Sequence, residues 1–151
     1  MAKELLIAFG IMGFCLVVHV TGMILVAVRV VRLRQRIIDG IGFGYPTILL
    51  IAVFFIVIVL HMTEATIWAV FYSWGGLFKD FETSLYFSMQ SYSTVGYGDV
   101  LLPQKWRLLG TIESISGVLM CGLSGAFLFA IVNGMFRAWI ERFRRDHPDQ
   151  T

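Results

Sequence analysis

The sequence predicts an all-α membrane protein built from three transmembrane helices and one shorter helix that enters the bilayer without crossing it. The 151-residue chain is 58% hydrophobic and only 15% charged. Three apolar runs, 5–31, 47–72 and 108–136, each exceed the ~20 residues at ~1.5 Å rise that a ~30 Å hydrocarbon core requires. The segment 80–93 differs from them. It is partly apolar but too short to span, and it leads into a glycine-rich loop, the pattern of a re-entrant helix.

The first span starts beside Lys3 and Glu4. A secretory leader also places a basic residue before an apolar run, but this run continues to Val31 without a small-x-small cleavage site, so it reads as a retained anchor. Arg29, Arg32, Arg34 and Arg36 follow the first span, and Arg137, Arg142, Arg144 and Arg145 follow the third. Both clusters are expected on the cytoplasmic side, which puts the N-terminus outside, the C-terminus inside and segment 80–93 at the outer surface. Leu33, Ile37 and Ile38 among the arginines suggest a short interfacial helix ending near Asp39 and Gly40. Pro46 suits the start of the second span. Asp80 is a candidate N-cap for the re-entrant helix, with Glu82 in its first turn. Trp68, Tyr72, Trp74 and Trp106 read as an outer interfacial belt, Tyr45 and Trp139 as an inner one. Cys15 and Cys121 lie inside spans without metal-ligand spacing and read as structural thiols. The expected division is 1–46 for the first span and basic linker, 47–140 for a helix–loop–helix module, and 141–151 for a short tail.

The loop itself reads Thr94-Val95-Gly96-Tyr97-Gly98-Asp99. A continuous line of carbonyls facing one axis demands backbone angles that most residues resist, and Gly96 and Gly98 adopt positive φ at little steric cost. With a short helix before it and spans on both sides, this motif resembles the selectivity filter of potassium channels. The region 47–136 resembles their pore module in the small prokaryotic ion channels, with an outer helix, a pore loop and an inner helix. The resemblance implies that the carbonyls of Thr94, Val95, Gly96 and Tyr97, with the Thr94 hydroxyl, replace the hydration shell of K+. It further implies that Gly98 and Asp99 support the filter and that the Tyr97 ring braces it from behind. One loop per chain then implies a homotetramer, with three identical subunits as partners, K+ as the permeant ion and no organic cofactor. The implied setting is a cell membrane, in a prokaryote the inner one. The family's aromatic pair is matched by Tyr86-Phe87, and Pro103 and Trp106 follow Asp99. A filter entering from outside agrees with the topology derived from arginines.

Two departures from that family stand out. Where some relatives carry a carboxylate four residues before the filter threonine, this chain has Gln90, so a carboxylate pair with Asp99 cannot form. The span 5–31 has no counterpart in the two-helix pore; its role stays open, docking of a regulatory partner being one alternative. Arg29, Arg32 and Arg36 share a face as voltage-sensing charges would, but they follow the apolar run instead of threading it, and anchoring accounts for them.

His61 and Glu64 share a face of the second span, and Glu113 of the third span lies at a similar depth. Carboxylates at that depth call for partners. Two readings stay open. In one, Glu64 and Glu113 hydrogen-bond the end of the re-entrant helix through Gln90, Ser91, Tyr92 or Ser93 and hold the filter; in the other, His61 pairs with Glu64 and the cluster only ties helices together. A third reading, in which His61, Glu64 and Glu113 bind a metal or perform hydrolysis, is disfavoured because no HExxH spacing or nucleophile motif accompanies them. His19 is the one histidine of the first span and reads as a satisfied buried or a water-facing residue in preference to a ligand. Gly117 lies where relatives place a gating hinge, while Gly122 and Gly125 read equally as helix-crossing positions.

These readings point to a passive K+ channel and not an enzyme. A weakly selective cation channel and a non-conducting membrane scaffold or regulatory subunit are the alternatives. A carrier would need internal repeats around a midplane site, which this short chain lacks. Nothing suggests a nucleic-acid surface, and the arginine clusters suit anionic membrane lipid.

Overall fold

The computed structural model describes residues 2–38 and 44–146. It is all helical, and no strand occurs among the described residues. The helices are α1 (Ala2–Ile38), α2 (Gly44–Trp74), α3 (Phe81–Tyr92) and α4 (Arg107–Asp146), with a 3₁₀ turn at Gln104–Trp106 before α4. Three of them are long and apolar enough to cross a membrane, the candidate spans being Ala2–Arg32, Pro46–Trp74 and Gln104–Arg145. At 37, 31 and 40 residues, α1, α2 and α4 are longer than a ~30 Å core requires, and the arginine-bearing C-terminal ends of α1 and α4 extend past the apolar stretch.

The basic stretch after Val31 continues α1 to Ile38 instead of forming a separate interfacial helix. No glycine or proline interrupts residues 29–38, and leucine, arginine and glutamine all propagate a helix well. Asp39 and Gly40, the expected end of that short helix, lie outside the described residues. Pro46 falls in the first turn of α2, where a missing N–H breaks no helical bond. The far end of α2 closes with paired bonds, Leu77 N to Tyr72 O at 3.0 Å and Gly76 N to Ser73 O at 3.1 Å. Asp80 caps α3 as expected, accepting from Thr83 N at 2.7 Å. That bond, first among several, holds the exposed Asp80 carboxyl below the usual aspartate range.

Helix α3 is wedged against α2 and α4, while α1 lies along α2 and α4 of the same chain. The core gathers Trp68, Tyr72, Phe87, Tyr92, Leu102, Leu109, Ile112 and Met120, joined by Ala8 and Cys15 from α1. Trp68 and Tyr72 are 0% exposed, which corrects their placement in an outer belt; Trp74, 91% exposed, remains available to one. Tyr72 meets Phe87 edge-on at 5.4 Å between centroids, so the aromatic residue of α3 locks against α2. On α4, the buried residues Leu109, Ile112, Glu113, Ser116, Met120 and Ser124 recur at helical spacing and face the chain's own helices. Its other face, including Ile115, Val118 and Leu119, is open.

Candidate functional site

The loop after α3 takes an unusual path. Thr94, Gly96 and Gly98 have φ of 60°, 54° and 78°, while Val95 and Tyr97 between them keep negative φ. A β-branched residue at positive φ is strained, and Thr94 is held there by its amide bonding Ser91 O at 3.0 Å. The amide of Gly96 bonds Gln90 O at 3.1 Å, and that of Tyr97 bonds Gln90 Oε1 at 2.9 Å. In a trans peptide the N–H and the preceding carbonyl point opposite ways, and no cis bond occurs here. The carbonyls of Val95 and Gly96 therefore leave the chain on one common side, away from α3. An ordinary strand would alternate them.

Gln90 thus supplies two anchors for the loop. Its amide also reaches Asp99 Oδ1 at 3.3 Å, while the Tyr86 hydroxyl donates to Asp99 Oδ2 at 2.7 Å. The position that lacks the relatives' carboxylate therefore still ties the loop's far end to α3, through a neutral amide. The Tyr86 bond, supported by Gln90, holds the exposed Asp99 carboxyl below the usual aspartate range. Whatever these bonds contribute is complete above the ordinary value of 3.8 and is lost as pH falls through the lower folded value. Tyr86→Phe is expected to move the Asp99 titration back up toward that ordinary value, read by carboxyl NMR.

Behind α3, both acids of the spans meet partners. Glu113, fully buried, accepts from Tyr72 OH at 2.7 Å and contacts Ser88 Oγ, which also meets Ala65 O at 2.6 Å. Glu64, also fully buried, contacts the Tyr92 hydroxyl and binds His19 Nδ1 at 2.7 Å. His19 is a satisfied buried histidine and makes the shorter contact with Glu64, while His61 Nδ1 lies 4.0 Å from Glu64 Oε2 and meets Tyr92 OH at 3.0 Å. Both histidines converge on Ser124 Oγ, His19 Nε2 at 2.9 Å and His61 Nε2 at 3.1 Å. The acids reach α3 through Ser88 and Tyr92; Gln90 serves the loop, and Ser91 O takes Ser114 Oγ at 2.7 Å. Ser88 and Ser124 escaped the sequence reading because neither belongs to a motif.

Gly117 sits where α4 touches the end of α3. A β-carbon there would collide with Tyr92 O and come within 2.8 Å of Tyr92 C, so glycine permits this close approach. At Gly122 and Gly125 a β-carbon would meet nothing. Cys15 is buried and Cys121 exposed, both as free thiols.

The family described as Ion channel matches residues 47–134, more than half of the chain, from the first turns of α2 through most of α4. The chain belongs to the ion channel family. The channel is a multi-pass membrane protein that conducts ions, and its first helix lies outside the matched region. No curated protein and no solved structure matches the chain significantly.

Proposed function

We propose that the channel is K+-selective and that four copies of the Thr94–Asp99 loop line one pore. The observation that carries this reading is the common direction of the Val95 and Gly96 carbonyls, set by amides anchored on Gln90 and by positive φ at alternate residues. With the carbonyls of Thr94 and Tyr97 and the Thr94 hydroxyl, they supply the oxygen dipoles that a dehydrated K+ requires. Helix α3 aims the partial negative charge of its C-terminus at the base of the loop, which favours a cation. Gly98, Asp99 and Gln90 support the loop from its outer end, and Glu64 and Glu113 brace α3 from behind through Tyr92 and Ser88.

The tetramer is supported by two open surfaces. The free face of α4 carries apolar residues, and Tyr97 is 74% exposed in the single chain, so its bracing contacts come from a neighbouring subunit. The arginine-rich ends of α1 and α4 support an orientation with the N-terminus outside and the C-terminus in the cytoplasm. Purified protein reconstituted alone into liposomes is expected to carry K+ flux, and its native mass is expected to correspond to four chains. A silent protein or a monomer would overturn this reading and favour a scaffold.

A further inference from the structure

Five contacts close the cluster behind Tyr92: His19 Nδ1 with Glu64 Oε1, His19 Nε2 and His61 Nε2 with Ser124 Oγ, His61 Nδ1 with Tyr92 OH, and Tyr92 OH with Glu64 Oε2. Each contact needs one hydrogen between its two heavy atoms. A neutral imidazole supplies one N–H, a serine or tyrosine hydroxyl one O–H, and an ionised carboxylate none. Neutral His19 and His61 with Ser124 and Tyr92 therefore bring four hydrogens to five contacts. Without a fifth, two acceptors face each other somewhere in the ring, and the ring carries a net negative charge between membrane helices. One added proton removes both penalties, each of them large at such depth.

We infer that His19, His61, Glu64, Ser124 and Tyr92 form a binding site for a single proton, through which the first helix holds the end of α3. The proton belongs to the cluster as a whole and not to one side chain. Every helix contributes. Cys15 and His19 face the site from α1, His61 and Glu64 from α2, Tyr92 from α3, and Ser124 and Cys121 from α4. Losing the proton at alkaline pH opens one contact in a ring that ends on Tyr92, two residues before Thr94. The consequence for conduction rests on the K+ pore reading; the proton site itself does not.

Glu113 obeys the same count: Tyr72 and Ser88 bring two hydrogens to three contacts, so this acid holds its own proton and must be separated in the test. Glu64→Gln supplies an amide hydrogen that closes all five contacts with no proton bound, and Glu113→Gln does the same at its own site.

The experiment follows thermal unfolding of the full-length protein in detergent, and its K+ flux in liposomes, over about pH 5 to about pH 10. Wild type is expected to lose several degrees of melting temperature, and flux, toward alkaline pH. Glu64→Gln should stay near the acid-side wild-type values with a flattened slope, and Glu113→Gln should keep the part of the slope due to the histidine cluster. An infrared titration of the wild type should show carboxyl or imidazolium bands changing over the same interval. A flat wild-type melting curve, an infrared spectrum unchanged with pH, or a Glu64→Gln variant with the full wild-type slope would each overturn the proton site. If the melting results hold while no variant or wild type passes K+ at any pH, the site stands and the pore reading falls.

Discussion

Gly96→Ala is expected to abolish K+-selective flux while leaving the chain folded. Gly96 has φ of 54°, and a β-carbon there meets no atom within 4 Å in the single chain, so the penalty lies in the backbone and not in packing. Left-handed backbone costs an L-residue about 1–2 kcal/mol, and a tetrameric pore would carry that cost in each subunit. The loop relieves it by rotating the peptide away from positive φ, which swings the Val95 or Gly96 carbonyl off the shared side. Melting temperature should change little, because the helix packing remains and the rotated peptide gives up only one of the two anchors on Gln90. Retained K+ selectivity in the variant would contradict the assignment of these carbonyls.

Gly117→Ala is expected to lower both stability and selectivity. The new methyl meets the backbone of Tyr92, which cannot rotate aside as a side-chain tip can, and overpacking of this kind typically costs about 1–3 kcal/mol. The displaced residue is shared with the Glu64 cluster and lies two positions before Thr94, so strain at Gly117 is transmitted to the loop. A hinge at this position predicts something else: altered opening with unchanged selectivity and melting. Recording open probability, the K+ to Na+ permeability ratio and thermal unfolding of the same variant separates the two roles.

Local signals made the spans, the short helix and the loop legible. Apolar runs of membrane length define helices without reference to tertiary contacts, Asp80 caps α3 within its own turn, and the glycines at 96 and 98 specify their backbone directly. Tertiary placement was harder to read. A helix that is apolar nearly all round does not reveal its rotation, so the first span hid the stripe Ala8, Cys15, His19, Met23 and Val26 that turns His19 toward Glu64, 45 residues away. The wide spacing of those small, sulfur-bearing and polar residues on one face was the available signal. Trp68 and Tyr72 misled for a related reason. Aromatic residues near a span's end suit either a membrane interface or a core, and only the buried Glu113 carboxyl waiting for the Tyr72 hydroxyl distinguishes them. Gln90 was read by what it lacks, a carboxylate, whereas its amide both accepts from Tyr97 N and donates to Asp99.

K+ selection by the Thr94–Asp99 loop is read out by the reversal potential of the purified channel between K+ on one side of a bilayer and Na+ on the other. A K+-selective loop gives a reversal potential displaced strongly in the direction set by K+ permeation. A reversal potential near zero, with current carried equally by both ions, would contradict it and leave a weakly selective cation channel.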